Sequence, residues 1–128
     1  MKEVKFVAKW KERQNERRLH LHSLAEAARK DLEKVVQVLT QQYGVRRAIL
    51  FGSLSRGRFA EGSDIDIAVE GLNRADFYEA LAAVNRVTPH WVDLKPLEDL
   101  DPFFRERVLS GKVLFPREEH EHAMDRGQ

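Results

Sequence analysis

Gly52-Ser53, ten intervening residues, then Asp64-Ile65-Asp66 form the pattern in this chain best suited to chemistry. Glycine lets an anion approach the backbone closely. The amides that open a following helix, together with its dipole, favour a phosphate there. The Ser53 hydroxyl adds a donor. Asp64 and Asp66, two apart on a strand, project from one face, while Ile65, Ile67 and Val69 project from the other. Two ionised carboxylates side by side repel each other, and a divalent cation bridging them removes that penalty. A third carboxylate, Asp93, lies in a second apolar run, His90-Trp91-Val92-Asp93-Leu94. Three acids converging beside a Gly-Ser turn predict a divalent metal, a nucleoside triphosphate and nucleotidyl transfer.

Mg²⁺ is the expected ion, because it takes hard oxygen ligands and keeps waters and substrate phosphates in its shell. Asp64, Asp66 and Asp93 are the expected ligands. The arrangement predicts a two-metal clamp, one ion on the attacking oxygen and one on the leaving oxygen. Catalysis then rests on positioning and charge stabilisation. Asp93 is the expected ligand nearest the nucleophile and the group that helps remove its proton. The competing reading of Asp64 and Asp66 is a solvated strand face, and that of Asp93 an ordinary edge-strand charge. Arg56 and Arg58 could meet phosphates or pair with nearby acids, and Lys95 stands in the same position.

The elements that must hold these residues can be read from periodicity and punctuation. Leu21, Ala25, Ala28, Leu32, Val35 and Leu39 recur at spacings of four and three, which makes one helical stripe. No Gly or Pro interrupts residues 1–43, and Gly44 follows as a stop signal. Arg47 to Phe51 is a short apolar strand ended by Gly52. Ser53 is expected to cap a short helix over Leu54 to Arg58. Ala60 to Ser63 reads as a loop, Asp64 to Glu70 as a second strand, and His90 to Lys95 as a third. Between them Asn73 caps a helix carrying Phe77, Leu81 and Val84. Asp101-Pro102 opens another helix, Gly111 stops it, and Lys112 to Phe115 adds an edge strand. The fold class is α/β (α+β): a small mixed sheet flanked by helices, with a long N-terminal helix. The expected division is a helical arm over residues 1–44, a catalytic core over 45–116 and a frayed polar tail over 117–128.

Size and composition narrow the classes. A chain of 128 residues fits one domain with a modest core. No cysteine is present, so disulfide frameworks and thiolate zinc sites are excluded. No apolar run reaches the roughly 20 residues of a membrane helix, and the charged N-terminus lacks the apolar stretch of a signal peptide. The expectation is a soluble cytoplasmic protein with no membrane partner. The net charge of +1 conceals a division: residues 1–50 carry twelve Lys/Arg against six Asp/Glu, and the remainder is acidic.

At these residues the chain resembles a family. Leu50-Phe51-Gly52-Ser53, Arg56-Gly57 and Ser63 to Val69, followed by Asp93, resemble the minimal nucleotidyltransferases of the DNA polymerase β-like superfamily. The resemblance covers about Val45 to Phe115. It implies transfer of a nucleoside monophosphate with release of pyrophosphate. It maps the metal ligands onto Asp64, Asp66 and Asp93, and the phosphate turn onto Gly52 and Ser53. Small stand-alone members are commonly antitoxins paired with a HEPN-domain RNase toxin. That resemblance implies adenylylation of a toxin tyrosine with ATP and Mg²⁺. Little chain remains after the core to build an acceptor pocket, so a protein acceptor is expected. The alternatives are a non-catalytic binding antitoxin, or transfer to a small molecule such as an aminoglycoside.

Three further features stand outside that motif. His20 and His22, and His120 and His122, form spaced pairs that read as exposed helix and tail rather than metal sites. The basic stretch from Lys9 to Arg18 could bind RNA or an acidic partner surface, but it is interspersed with Glu12 and Glu16, so a solvated face competes with both, and nucleic acid is the less expected partner. Trp10, on a mostly polar arm, reads as an anchor for a partner or a second subunit.

Overall fold

The computed structural model describes residues 2–117. The helical stripe forms α1, Lys2–Gln37, and continues into a widened π-helical turn, Val38–Gln42. The Thr40 hydroxyl donates to the Val36 carbonyl at 2.9 Å, a side-chain bond that competes with the regular ladder at this point. Most of the stripe does what its spacing predicts: Ala25, Ala28, Leu32, Val35 and Leu39 are buried, while Leu21, nearest the exposed half of the helix, is only partly so. Residues 5–20 are exposed without exception. Among the described residues no helix is long and apolar enough to cross a membrane.

Four strands follow: β1 (Arg47–Phe51), β2 (Ile65–Glu70), β3 (Val92–Pro96) and β4 (Lys112–Phe115). Their order in the sheet is β3-β2-β1-β4. β1 pairs antiparallel with both β2 and β4. β2 and β3 run parallel, so the chain must cross over between them, and it does so through α3, Phe77–Asn85. The remaining helices are α2, Gly52–Ser55, and α4, Pro102–Leu109.

Strand alternation divides the apolar residues between two faces. Ala48, Leu50, Ile65, Ile67, Val69, Val92 and Leu94 pack with α1 and α3 in the larger core. Ile49 and Ala68, on the opposite face, pack with Leu97 and Val108, flanked by Phe51, Leu100 and Phe104. Asp66 and Asp93 belong to this second face, which the eight residues of α4 cover only in part.

Several expected boundaries move. Asp64 stands just before β2, which begins at Ile65, and His90 and Trp91 form the approach to β3. Asn73 caps as expected, accepting from the Ala75 N–H, but it opens a 3-10 turn, Arg74–Asp76, that leads into α3. Asp101 caps α4 by accepting from the Phe104 N–H at 3.0 Å. The expectation for Ser53 is corrected: α2 spans Gly52–Ser55 with Phe51 at its N-cap and no side-chain cap. The positive φ of Gly52, +80°, turns the chain so sharply out of β1 that the helix begins one residue before a serine cap could act. The expected frayed tail and the pair His120 and His122 fall outside the described residues, apart from Arg117.

One clamp on the edge strand has no signal in the sequence. Asn85, at the end of α3, donates from Nδ2 to the Leu81 and Val92 carbonyls at 2.9 and 3.0 Å, and its Oδ1 accepts from the Val92 N–H at 2.7 Å. Val92 is fully buried on the outer strand, so these bonds satisfy backbone groups that lack a strand neighbour. Unmade, such groups cost about 1–3 kcal/mol each. Asn85→Ala is therefore expected to lower stability by about 2 kcal/mol. In urea unfolding the midpoint should fall at constant slope; an unchanged midpoint would show that water replaces the clamp.

Candidate functional site

The site lies at one end of the sheet, where β1 finishes and β2 and β3 begin. Phe51 is in register with Asp66 across β1 and β2, and Asp66 is in register with Asp93 across β2 and β3. Neighbouring strands lie about 4.8 Å apart, so the two carboxylates share one row and one face. Asp64 precedes the same face from the exposed loop end. Its approach is fixed by a tight turn in which the Ala60 N–H donates to Ser63 Oγ and the Ser63 N–H donates to the Ala60 carbonyl, both at 3.0 Å. The structure thus brings Asp66 and Asp93 together and leaves Asp64 more solvated beside them.

Gly52 completes this row from the other side. A Cβ built on it would collide with Asp66 Oδ2, with Cγ only 2.9 Å away. Only hydrogen fits between the turn and the carboxylate. Ser53 follows in the first turn of α2, where amides have no partner within the helix. Its carbonyl accepts from the N–H groups of Arg58 at 2.8 Å and Arg56 at 3.2 Å, which folds the loop back over the turn. Both arginine side chains are exposed, and among the described residues neither forms an ion pair.

Electrostatics single out Asp66. Burial, then the charges of Asp93 and Asp64, push its carboxyl above the usual range, while Lys95 and Arg56 pull it partly back. Lys95 Nζ sits 3.3 Å from Asp93 Oδ2, on the same strand face two residues along. Arg56 therefore lies close enough to act on the acid row without a direct bond.

A divalent ion is a chemical fit to this donor set. The side chains offer hard carboxylate oxygens, two of the carboxylates stand in register, and the charged form of Asp66 is disfavoured first by burial and then by Asp93 and Asp64. Among the described residues no group of three ligand-type side chains is gathered closely enough to hold a metal ion, so the expected convergence of Asp64, Asp66 and Asp93 on one ion is not formed by the side chains as they stand. Mg²⁺ asks less of a protein, being held by one or two carboxylates with water and phosphate oxygens completing its shell.

Trp91 is the neighbour whose place emerges only from the fold. Its carbonyl accepts from the Ile65 N–H at 2.8 Å, which sets it beside Asp64 at the sheet edge. Its side chain is 52 % exposed, whereas the preceding His90 packs edge-on against the buried Phe59. The recess lined by Leu72, Arg74, Phe77, Tyr78, Pro96 and Asp99 lies at the opposite end of β2 and β3 and contains none of the acid row. His20 and His22 are exposed on α1, and His20 meets Glu61 rather than a metal-type cluster.

Known proteins share this fold. The profile of the family described as Polymerase beta, Nucleotidyltransferase matches residues 33–120. A Methanocaldococcus jannaschii protein assigned as a protein adenylyltransferase is 32 % identical over 83 residues, covering 62 % of this chain and 88 % of the relative. Among solved structures, a protein assigned as a minimal nucleotidyltransferase superposes with a TM-score of 0.59 at 31 % identity, over 68 % of this chain and 91 % of the other. A chain from a toxin–antitoxin crystal structure with AMP-PNP gives a TM-score of 0.60 at 26 % identity, over 71 % and 77 %.

Two measurements test the acid row. Asp66 is raised in the folded state, so its ionised form opposes folding; the penalty is absent at low pH, where it is protonated folded and unfolded, and grows as pH rises through its folded value. In chelator, Asp66→Asn should be more stable than the unaltered chain at neutral pH. The gap should narrow as pH falls from the raised value toward the ordinary carboxylate range and be closed below it, read as urea midpoints across pH. The second compares two glycines. Gly52 and Gly57 both have positive φ, +80° and +73°, but a Cβ on Gly57 meets nothing within 4 Å. Gly57→Ala should cost about 1–2 kcal/mol from backbone strain. Gly52→Ala should cost more and alone displace Asp66; equal losses would discount the contact.

Proposed function

This chain belongs to the Polymerase beta nucleotidyltransferase family, and from that premise we propose that it transfers AMP from ATP to a tyrosine of a cognate HEPN-type RNase toxin, serving as the antitoxin of the pair. It is a nucleotidyltransferase of the minimal type. The observation that carries the finer reading is the row in which Gly52 lies against Asp66 and Asp66 faces Asp93. The toxin–antitoxin neighbour with AMP-PNP and the adenylyltransferase relative support adenylyl transfer to a protein.

In this reading Gly52 and Ser53 hold the triphosphate through the open backbone of the turn and the first amides of α2. Asp64, Asp66 and Asp93 would hold Mg²⁺, which supplies charge neutralisation at the phosphates and at the entering and leaving oxygens. The tyrosine Oη forms a bond to the α-phosphorus as the bridging bond to the β-phosphate breaks, and pyrophosphate leaves. Asp93, on the edge strand and open to an incoming protein, accepts the tyrosine proton or orients the hydroxyl that loses it. Lys95, bonded to Asp93, keeps that carboxylate from swinging away. In this reading Arg56, whose charge bears on Asp66, meets the departing phosphates.

The test is labelled ATP, Mg²⁺ and the protein encoded beside this chain. The unaltered chain should add AMP to a tyrosine, visible as a mass increase on the tyrosine-bearing peptide. Asp64→Ala/Asp66→Ala should reduce labelling by about a hundredfold or more. Equal labelling by the double variant would remove the acid row from the chemistry. Neutralisation of the toxin by that variant at equal dose would favour a purely binding antitoxin.

A further inference from the structure

Nothing in nucleotidyl transfer requires the first half of α1, yet the fold sets it over the catalytic end. The helix begins its packed course at the far end of the sheet, where the Val45 N–H, just before β1, donates to the Leu39 carbonyl. Toward its N-terminus it passes the loop that leads into β3, where Thr88 Oγ1 donates to Asp31 Oδ2 at 2.7 Å. It then passes the loop that leads into Asp64, where His20 Nε2 lies 3.2 Å from Glu61 Oε2. Both loops border the end that holds Gly52, Asp66 and Asp93. Residues 2–19 continue beyond it by about 27 Å at the helical rise.

This overhang is built for contact. Phe6 and Trp10 are 72 % and 54 % exposed, and Val7 stands between them. Helical periodicity puts all three on the side of α1 that, further along, carries Ala25, Ala28, Leu32 and Val35 into the core. The apolar patch therefore points past the end of the sheet that holds the acid row, from the α1 side rather than from the face that carries the carboxylates. Nearer the root, Arg13, Arg17 and Arg18 gather around the same side. Residues 5–20 hold six Lys/Arg against Glu12 and Glu16, and among the described residues none of the six is ion-paired. An unpacked helix is marginal in water, and a surface that covers it gains from ordering it.

We propose that this arm is the docking element for the acceptor protein, which presents an apolar pocket to Phe6 and Trp10 and carboxylates to Arg13 and Arg17, so that its acceptor side chain reaches Asp93. The inference rests on the protein-acceptor reading above. Protein is favoured over RNA because the anchors are two large exposed apolar side chains, Phe6 and Trp10, with Val7 beside them, a surface that a protein pocket buries and a phosphate backbone does not. It is favoured over a second copy because two arms laid together would oppose their cations.

The probe is the toxin encoded beside the chain, and every variant is made in the full chain. Phe6→Ser/Trp10→Ser and Arg13→Glu/Arg17→Glu should each weaken toxin affinity, measured without ATP, by about tenfold or more. The KM for toxin in the labelling reaction should rise in step, while kcat at saturating toxin and the affinity for ATP stay unchanged. Trp10→Phe should restore most of the binding. Toxin affinity and KM within twofold of the unaltered chain overturn the proposal. So does an absence of measurable toxin binding by the unaltered chain. Loss of RNA gel shift, or of a dimer in sedimentation, with toxin affinity intact assigns the arm to those partners instead and also overturns it. The two readings fail separately. A chain that binds toxin through the arm but never labels it refutes the transfer and keeps the docking. Labelling that survives the arm variants with unchanged KM refutes the docking and keeps the transfer.

Discussion

The Asp66 carboxylate rests against the Cα of Gly52, and most of the site follows from that contact. The antiparallel pairing of β1 and β2 places Phe51 opposite Asp66, so the residue after Phe51 must turn directly over the carboxylate. A side chain there would strike it. The glycine also supplies the positive φ that sends the chain out of the sheet into α2. One residue thus satisfies two demands, a sharp exit and an empty flank. The phosphate-type turn and the acid row are therefore held together by the sheet rather than by a flexible loop.

The rest of the fold can be understood as support for keeping like charges close. Asp66 is partly buried beside Asp93 and Asp64, an arrangement that opposes folding when ionised. Stability must come from elsewhere, and the larger core on the α1/α3 face provides it: Ile65, Ile67 and Val69 are fully buried on the very strand that carries Asp66. Each such side chain contributes about 1.5–3 kcal/mol on burial. Strand alternation lets one short strand do both, with apolar residues inward and carboxylates outward. α4 covers the acid face at Ile49 and Ala68 and reaches Phe51, the cross-strand neighbour of Asp66, through Phe104, while Asp66 and Asp93 stay only partly buried.

Much of this was legible in the sequence because it depends on local period. The stripe from Ala25 to Leu39, the alternation of Ile65, Asp66 and Ile67, and the Asp101 cap are all set by residues a few positions apart. Features set by distant pairing were not legible. The chain gives no sign that β4 joins the sheet beside β1, that Asn85 clamps Val92, or that Trp91 stands next to Asp64. The Ser53 cap failed for a related reason. Ser53 has the right chemistry for a cap, but the tertiary need to turn over Asp66 starts the helix at Gly52. For the candidate site, the sequence supplied the residue types and their common face, while the sheet register supplied which carboxylates adjoin.

Lys95 shows how finely the charge at this end is graded. It shares a face with Asp93 and bonds to it at 3.3 Å, so the edge strand carries its own counter-ion. Arg56 adds a second positive charge from the loop after α2. Both lower the Asp66 carboxyl, and its value is still raised. The protein's own cations therefore compensate Asp93 directly and Asp66 only at a distance. Asp66 stands partly buried beside Gly52, between the turn and the edge strand, with its charged form disfavoured by burial first and by Asp93 and Asp64 next. A divalent ion gains most at that point, because the same low exposure that penalises the bare carboxylate strengthens its attraction for a cation. Positive charge that completed the neutralisation from the protein side would weaken the site. Burial and two like charges disfavour the bare Asp66 carboxylate, and a cation beside it would relieve both.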